Sequence, residues 1–323
     1  MATNRPKVLL TRELPEAAIE KLEEKVDLEI FPYDRVMTPE ELRDGVKDKD
    51  GLLCLLTDTI SPALMDAAPN LKVISNYAVG YNNIDVDAAT ERKIVITHTP
   101  DVLTETTADM TFGLMMMTAR RVLEAGNLLR SGKWKGWSPM QFMGTDIHGS
   151  TLGIIGMGRI GKALTKRGKG FDMDVIYWNR TRLTVREEKQ LGLRYVKFNE
   201  VLRQADFLSI HVAYNRDTHH LIDEAALQKM KQSAFFINTS RGGTIDEEAL
   251  IEALENNKIA GAGLDVFENE PNINPRFFDL KNTVILPHIA SASLATREKM
   301  AIVAVNNLLS ILTGQKTGCC RVN

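Results

Sequence analysis

Three side chains in the last third of the sequence carry the chemistry of a proton-coupled transfer. Arg241 closes the run Asn238-Thr239-Ser240-Arg241-Gly242-Gly243, Glu270 sits in Phe267-Glu268-Asn269-Glu270-Pro271, and His288 sits in Leu286-Pro287-His288-Ile289-Ala290. Each follows a short apolar run with strand character, and open α/β sheets bind ligands at that end of their strands. A guanidinium can grip a carboxylate and polarise a neighbouring carbonyl. An imidazole can exchange a proton near neutral pH, and a glutamate hydrogen-bonded to it favours the protonated form and fixes its orientation. Singly, each residue is as well explained by a structural or solvated role. Together, and beside a dinucleotide site, they read as a hydride-transfer centre.

The dinucleotide site is read from Gly156-Met157-Gly158-Arg159-Ile160-Gly161, which matches G-x-G-x-x-G. An apolar strand candidate, Thr151–Ile155, precedes it and a helical pattern follows from Ile160. Strand, glycine turn and helix form the context that separates this motif from a chance match. Gly156 permits the tight turn, Gly158 lets backbone approach a pyrophosphate, and Gly161 lets the helix pack on the strand. Arg159 and Ile160 lie where the first unpaired N–H groups of the helix meet the phosphates. The next strand candidate, Asp174–Trp178, runs into Asn179-Arg180-Thr181-Arg182. NAD-binding units place Asp or Glu there, about 20 residues past the glycines, to bind the ribose hydroxyl. Asn179 has no charge, Arg180 and Arg182 bring guanidinium groups that can take a 2′-phosphate, and Thr181 adds a hydroxyl donor. The expectation is NADP(H) in preference to NAD(H), with NAD possible and solvated arginines as the plainer alternative.

These residues need a scaffold that brings strand ends together. Strand patterns at 7–11, 26–31, 51–56, 72–76 and 94–98 alternate with helical ones, Ser61 and Pro62 opening one of the helices. After Thr99-Pro100 a helical stretch covers 104–130, and the Gly- and Trp-rich segment 131–149 reads as a loop or arm. Further strands are expected at 206–212, 234–240, 260–267 and 283–287, with a helix at 246–257 capped by Asp246. A last helix, 291–313, is expected to return to the first domain. Alternating β and α signals imply an α/β class with parallel sheets. We therefore expect two Rossmann-like or flavodoxin-like domains with a cleft between them. Residues 1–99, completed by 289–323, form the substrate domain, and residues 100–288 form the dinucleotide-binding domain. Leu55, Leu56 and Tyr77, bulky and near strand ends, imply a short substrate pocket.

Composition narrows the class. The 323 residues are 44% hydrophobic and 25% charged with a net charge of −2, so nothing points to nucleic acid or an anionic membrane surface. Cys54, Cys319 and Cys320 form no disulfide framework, which suits a reducing cytosol. The first residues lack the apolar core of a signal peptide, and no apolar run is long enough to span a bilayer. The six histidines show no metal-ligand spacing, so no metal is expected.

In the combination NTSRGG, GAGLDVFENEP and LPHIAS, with the glycine motif upstream, the sequence resembles the D-isomer-specific 2-hydroxyacid dehydrogenases over essentially its whole length. Within that family it is most similar to NADP-linked glyoxylate/hydroxypyruvate reductases, as the stretches Asn76-Tyr77-Ala78-Val79-Gly80-Tyr81 and Trp178-Asn179-Arg180-Thr181 indicate. The resemblance implies that Arg241, Glu270 and His288 are the catalytic trio. It implies that Val79 and Gly80 offer backbone N–H groups to the carboxylate of a small 2-oxo acid, and that Asp265 and the Thr239 backbone hold the nicotinamide amide. It also implies a homodimer through the nucleotide-binding domain. Asn82 stands where the family usually has Asp, and Ala213 where it usually has Pro. Two other readings stay open: an NAD-linked relative of the 3-phosphoglycerate or D-lactate type, and a dinucleotide-sensing corepressor.

Overall fold

Apolar runs of three to five residues, closed by polar turns, form most of the strands, as expected where both faces of a parallel sheet are covered. The computed structural model describes residues 5–314 and 320–323. The chain divides into two units, Met1–Leu103 with Ala292–Asn323, and Thr104–Ser291.

The first unit contains β1 (Lys7–Leu10), β2 (Asp27–Ile30), β3 (Gly51–Cys54), β4 (Val73–Asn76) and β5 (Val95–Thr97). All pair in parallel, in the order β2-β1-β3-β4-β5. Gly51–Cys54 is buried along its whole length, and Leu52 and Leu53 go to opposite apolar clusters. Ser61 caps the helix Pro62–Asp66 by accepting from the Leu64 N–H, a contact worth about 1 kcal/mol. The long helix Leu294–Leu312 belongs to this unit and packs on β3, β4 and β5. It buries Met300, Ala301, Ala304, Val305 and Leu308 against Val8, Leu10 and Leu53.

The second unit contains β6 (Thr151–Ile155), β7 (Asp174–Trp178), β8 (Arg194–Tyr195), β9 (Phe207–Ile210), β10 (Phe235–Asn238), β11 (Gly261–Leu264) and β12 (Thr283–Ile285). The order is β12-β11-β10-β9-β6-β7-β8, again all parallel. The order reverses at β6 and β9, the place where doubly wound sheets open a crevice for ligands. The helix Arg159–Gly170 follows the glycine turn and packs on the helix Thr104–Ala119.

The sequence pattern departs from the structure in places. The expected helix over 104–130 is two helices, Thr104–Ala119 and Val122–Arg130. Arg121 breaks it with a left-handed backbone, φ 54°. The Thr145 N–H then bonds the Ala119 carbonyl at 2.9 Å, at the end of the first helix. The helices Val185–Leu191, Phe198–Gln204 and Glu224–Leu227 and strand β8 were not read from the sequence. They are four to seven residues long, or two for β8, too short for a clear period.

Candidate active site

The glycine motif is built as its spacing requires. Gly156 has φ 98°, and a Cβ there would meet the His211 carbonyl carbon at 2.6 Å. The strand ends of β6 and β9 therefore touch backbone to backbone. A Cβ on Gly161 would strike the Gly156 carbonyl oxygen at 2.5 Å, whereas one on Gly158 would meet nothing within 4 Å. Gly158 thus leaves the side toward a ligand clear. It is also the N-cap of Arg159–Gly170 and supplies no side-chain cap, so the first N–H groups have no side-chain acceptor at the cap. A cavity of about 300 Å³ opens here, lined by residues that include Gly156, Gly158, Trp178, Asn179, Arg180 and Thr181. The open side of Gly158, the uncapped helix end and this cavity fit a dinucleotide.

Asn179 accepts the Met157 N–H through Oδ1 (3.2 Å) and donates from Nδ2 to the Thr181 carbonyl (2.7 Å), tying the turn after β7 to the glycine loop. Arg180 is 82% exposed and stands 3.6 Å from an equally open Asp217, a pair that holds it weakly. Arg182 is placed differently. Its guanidinium grips both oxygens of Glu188 at 2.8 Å and lies over the Tyr195 ring. Glu188 is buried and also accepts the Tyr177 hydroxyl at 2.7 Å. Arg182 does not line the cavity. It braces the turn from behind, so Arg180 is the guanidinium that faces the cavity.

The far wall holds residues that the sequence reading missed. His211, directly after β9, lines the cavity with Val212, Asn215 and Thr218. Its Nε2 pairs with Ser209 Oγ at 2.9 Å, and its buried Nδ1 has no partner among the described residues. Burial pushes the imidazole down to about 4, so it is neutral at physiological pH. The one available signal was a histidine at a strand end, which is too common to single out. Ala213, the departure from the family's proline, has its carbonyl held by Thr218 Oγ1 at 2.7 Å.

Arg241, Glu270 and His288 follow β10, β11 and β12, three neighbouring parallel strands whose ends leave the sheet on one edge. His288 Nδ1 lies 2.7 Å from Glu270 Oε2. Glu270 Oε1 accepts the Phe267 N–H at 2.8 Å. Burial alone would raise the Glu270 carboxyl. The hydrogen bond from His288, the charges of His288 and Arg241 and the Phe267 N–H outweigh it, so the group lies below its ordinary range and is ionised. Burial pushes the Arg241 guanidinium down from its ordinary value while Glu270 opposes the shift, and an arginine so placed stays charged. The Arg241 loop lies hard against the Glu270 loop, for a Cβ on Gly242 would sit 1.9 Å from the Phe267 carbonyl carbon.

His288 has a left-handed backbone, φ 55°, which is unfavourable for a side chain with Cβ. Asp265 holds the following turn by accepting the Ile289 and Ala290 N–H groups at 2.8 and 2.7 Å. Burial pushes its carboxyl up in spite of these donors. Thr111 Oγ1 donates to the Thr107 carbonyl, so the Thr239 hydroxyl donates to Thr111 Oγ1 at 2.7 Å and fixes the loop after β10.

The other sequence-predicted residues lie in the first unit. Tyr77 is 5% exposed and donates its hydroxyl to the Arg297 carbonyl at 2.8 Å, which makes it a core residue. Leu55 is half-buried, its N–H accepted by Asp58 Oδ2 at 2.8 Å and its carbonyl bonded by Asn83 Nδ2 at 3.1 Å. The carbonyls of Val79 and Gly80 are held by His98 and Asn76. Of the terminal cysteines, Cys320 is half-buried, and Cys319 lies outside the described residues.

The state of His211 has a consequence for pH. Its folded-state pKa lies below the unfolded value of about 6.5. Between pH 6.5 and 4 the unfolded chain therefore binds the extra proton. Its contribution to stability is present above pH 6.5 and lost as pH falls through 4. In His211→Gln the fall of Tm across this interval should be shallower than in wild type. Parallel Tm–pH curves would show that His211 is not held neutral.

Comparison with known proteins agrees with the geometry. Residues 112–290 match the family described as D-isomer specific 2-hydroxyacid dehydrogenase, NAD binding domain. A glyoxylate reductase of Thermococcus litoralis is 46% identical over 315 residues, covering 96% of this chain and 95% of the relative. A crystal structure of the TT0316 protein from Thermus thermophilus is similar with a TM-score of 0.90 at 42% identity, covering 98% of this chain and 100% of that one. An NADPH-dependent glyoxylate/hydroxypyruvate reductase from Sinorhizobium meliloti, solved with NADP and malonate, is similar with a TM-score of 0.86 at 34% identity, covering 98% and 97%. This chain belongs to the D-isomer specific 2-hydroxyacid dehydrogenase family.

Proposed function

We propose that the chain is an NADPH-dependent reductase of glyoxylate and hydroxypyruvate, giving glycolate and D-glycerate in the cytosol. The observation that carries this reading is the His288–Glu270 pair, set beside the Arg241 loop on the strand edge that also bears the glycine turn. The relative from Thermococcus litoralis supports glyoxylate as substrate, and the Sinorhizobium meliloti enzyme supports hydroxypyruvate and NADP.

Each group has a part. Gly156, Gly158, Arg159, Ile160 and Gly161 receive the pyrophosphate at the helix N-terminus. Asn179, Arg180 and Thr181 bind the adenosine ribose and its 2′-phosphate, with Arg182 bracing the turn. Asp265 and the Thr239 backbone orient the nicotinamide amide. When bound, the dihydronicotinamide would supply hydride chemistry toward the carbonyl carbon of the 2-oxo acid. His288 gives a proton to the developing alkoxide, and ionised Glu270 fixes its ring by accepting at Nδ1. Arg241 stabilises negative charge at the carbonyl oxygen. In the first unit the N–H groups of Val79 and Gly80 hold the substrate carboxylate, and Leu55 keeps the pocket short. The bulk of Tyr77 supports the turn from the core.

A second copy of the chain is the proposed partner, through the dinucleotide-binding unit. The helix Val122–Arg130 buries none of its residues. Leu129, Trp134, Trp137 and Met140 on it and on the arm beyond are 62, 49, 82 and 70% exposed. Apolar exposure of this kind marks association surfaces. Trp137→Glu with Met140→Glu should convert a dimer of the 36.1 kDa chain to monomer in sedimentation. A wild type that is monomeric at micromolar concentration would refute the dimer.

For the chemistry, His288→Gln should lower kcat by about 10²–10⁴-fold with NADPH affinity near wild type; near-normal turnover would remove His288 from the mechanism. Glu270→Gln removes the carboxylate that holds the ring through Nδ1 and should lower kcat with NADPH affinity near wild type. An unchanged kcat would show that the pair does not act together.

For the cofactor, a charge-assisted contact to the 2′-phosphate is worth roughly 1.5–3 kcal/mol. Arg180→Ala should therefore weaken NADPH by about one to two decades and NADH far less. Asn179→Asp with Arg180→Ile should turn the preference toward NADH, by adding repulsion and removing the grip. Comparing kcat/KM for both cofactors tests this, and a wild type that already prefers NADH would contradict it.

A further inference from the structure

The turn that holds Val79 and Gly80 is hydrogen-bonded to residues just past β5, the edge strand of its sheet. Three successive carbonyls are taken: Ala78 by the Thr99 N–H at 2.9 Å, Val79 by His98 Nδ1 at 2.9 Å, and Gly80 by Asn76 Nδ2 at 2.8 Å. In a trans peptide the N–H points opposite to the carbonyl of the same unit. Anchoring Ala78 and Val79 through their carbonyls thus turns the N–H groups of Val79 and Gly80 the other way. Neither of these N–H groups has an acceptor among the described residues. Because a carbonyl can only accept, the hydrogen must sit on His98 Nδ1.

His98 is itself fixed by residues remote in sequence. Its N–H donates to the Cys320 carbonyl at 3.1 Å, and its carbonyl accepts from Asn307 Nδ2 at 2.9 Å. Asn307, buried on the helix Leu294–Leu312, accepts the Cys320 N–H at 3.2 Å with its other amide atom. The segment Cys320 to Asn323 runs along β5, the edge strand, with an antiparallel bridge from Thr97 to Arg321. The Val322 N–H bonds the Ile96 carbonyl at 2.9 Å, and Asn323 Oδ1 accepts the Ile96 N–H at 2.8 Å. The Val322 side chain packs on the cluster that contains Ile96.

We propose that His98 is the positioning residue of the carboxylate-binding turn, and that the segment Cys320 to Asn323, paired along β5, sets His98 and so tunes affinity for the 2-oxo acid. This rests on the reading of Val79 and Gly80 as the carboxylate grip. It assigns a role in substrate binding to a chain segment that touches no substrate. A single neutral hydrogen bond sets the scale of the effect.

The test is steady-state kinetics with glyoxylate and NADPH, together with NADPH affinity by fluorescence titration. His98→Ala should raise KM for glyoxylate roughly three- to tenfold, with kcat within about twofold and NADPH affinity unchanged. His98→Asn, which can keep an N–H donor at that branch, should recover most of the loss. Deleting Val322 and Asn323 should move KM in the same direction, and it carries the test if His98→Ala fails to fold. Gly80→Pro removes one of the two N–H groups and reports on the grip itself. If Gly80→Pro raises KM steeply but His98→Ala and the deletion do not, the grip stands and the role of His98 is overturned. If Gly80→Pro leaves KM unchanged, the grip reading falls and the proposal with it. A loss confined to kcat or to NADPH affinity in the His98 variants would also overturn it.

Discussion

Backbone contact at the carboxyl ends of parallel strands is the constraint on which the second unit depends. Gly156 meets the backbone of His211 and Val212, and Gly242 meets that of Phe267 and Glu268, at distances no Cβ could tolerate. The first contact shapes the dinucleotide crevice at the point where strand order reverses. The second brings the Arg241 loop against the loop that carries Glu270. Because every strand of the sheet is parallel, these loops all emerge on one edge. A side chain at either glycine would force the strand ends apart, and at Gly242 it would part the Arg241 loop from the Glu270 loop.

On this frame the charged groups are restrained by partners outside the chemistry. Asp265 steadies the turn after His288, Phe267 fixes Glu270, and Glu188 takes Arg182 away from the cavity. The buried Glu188 carboxylate takes the Tyr177 hydroxyl and, on both its oxygens, the exposed Arg182 guanidinium, which is what makes such a charge tolerable in a core. In the first unit His98, Asn76 and Thr99 likewise hold the carbonyls of Val79, Gly80 and Ala78, the turn proposed to grip the substrate carboxylate. In both units these turns are held by hydrogen bonds from neighbouring loops and strand ends.

Much of this was legible in the sequence. The strands Thr151–Ile155 and Asp174–Trp178, the glycine turn, and the caps Ser61 and Asp246 follow from local rules of pattern and turn chemistry. The pairing of Glu270 with His288 was readable as a possibility because both follow strands. What was not legible depends on contacts between residues far apart in the chain. Arg182 looks like Arg180 in sequence, and only the buried Glu188 distinguishes them. Tyr77 has the bulk and position of a pocket residue in sequence, and its hydroxyl bond to the Arg297 carbonyl, 220 residues on, is what marks it as core. The break at Arg121 leaves no mark in the sequence because the residues on both sides favour helix, and the interruption comes from backbone geometry and the arm. His98 and the segment paired along β5 carry no motif at all.

The proposed reaction turns on direct hydride transfer from NADPH to a small 2-oxo acid. It is tested most directly by incubating the protein with glyoxylate and NADPH deuterated at both positions of nicotinamide C4, in ordinary water, and analysing the product by mass spectrometry. Direct transfer gives glycolate carrying one deuterium on the carbon that was the aldehyde. Glycolate without deuterium, or no consumption of NADPH at saturating glyoxylate, would contradict it.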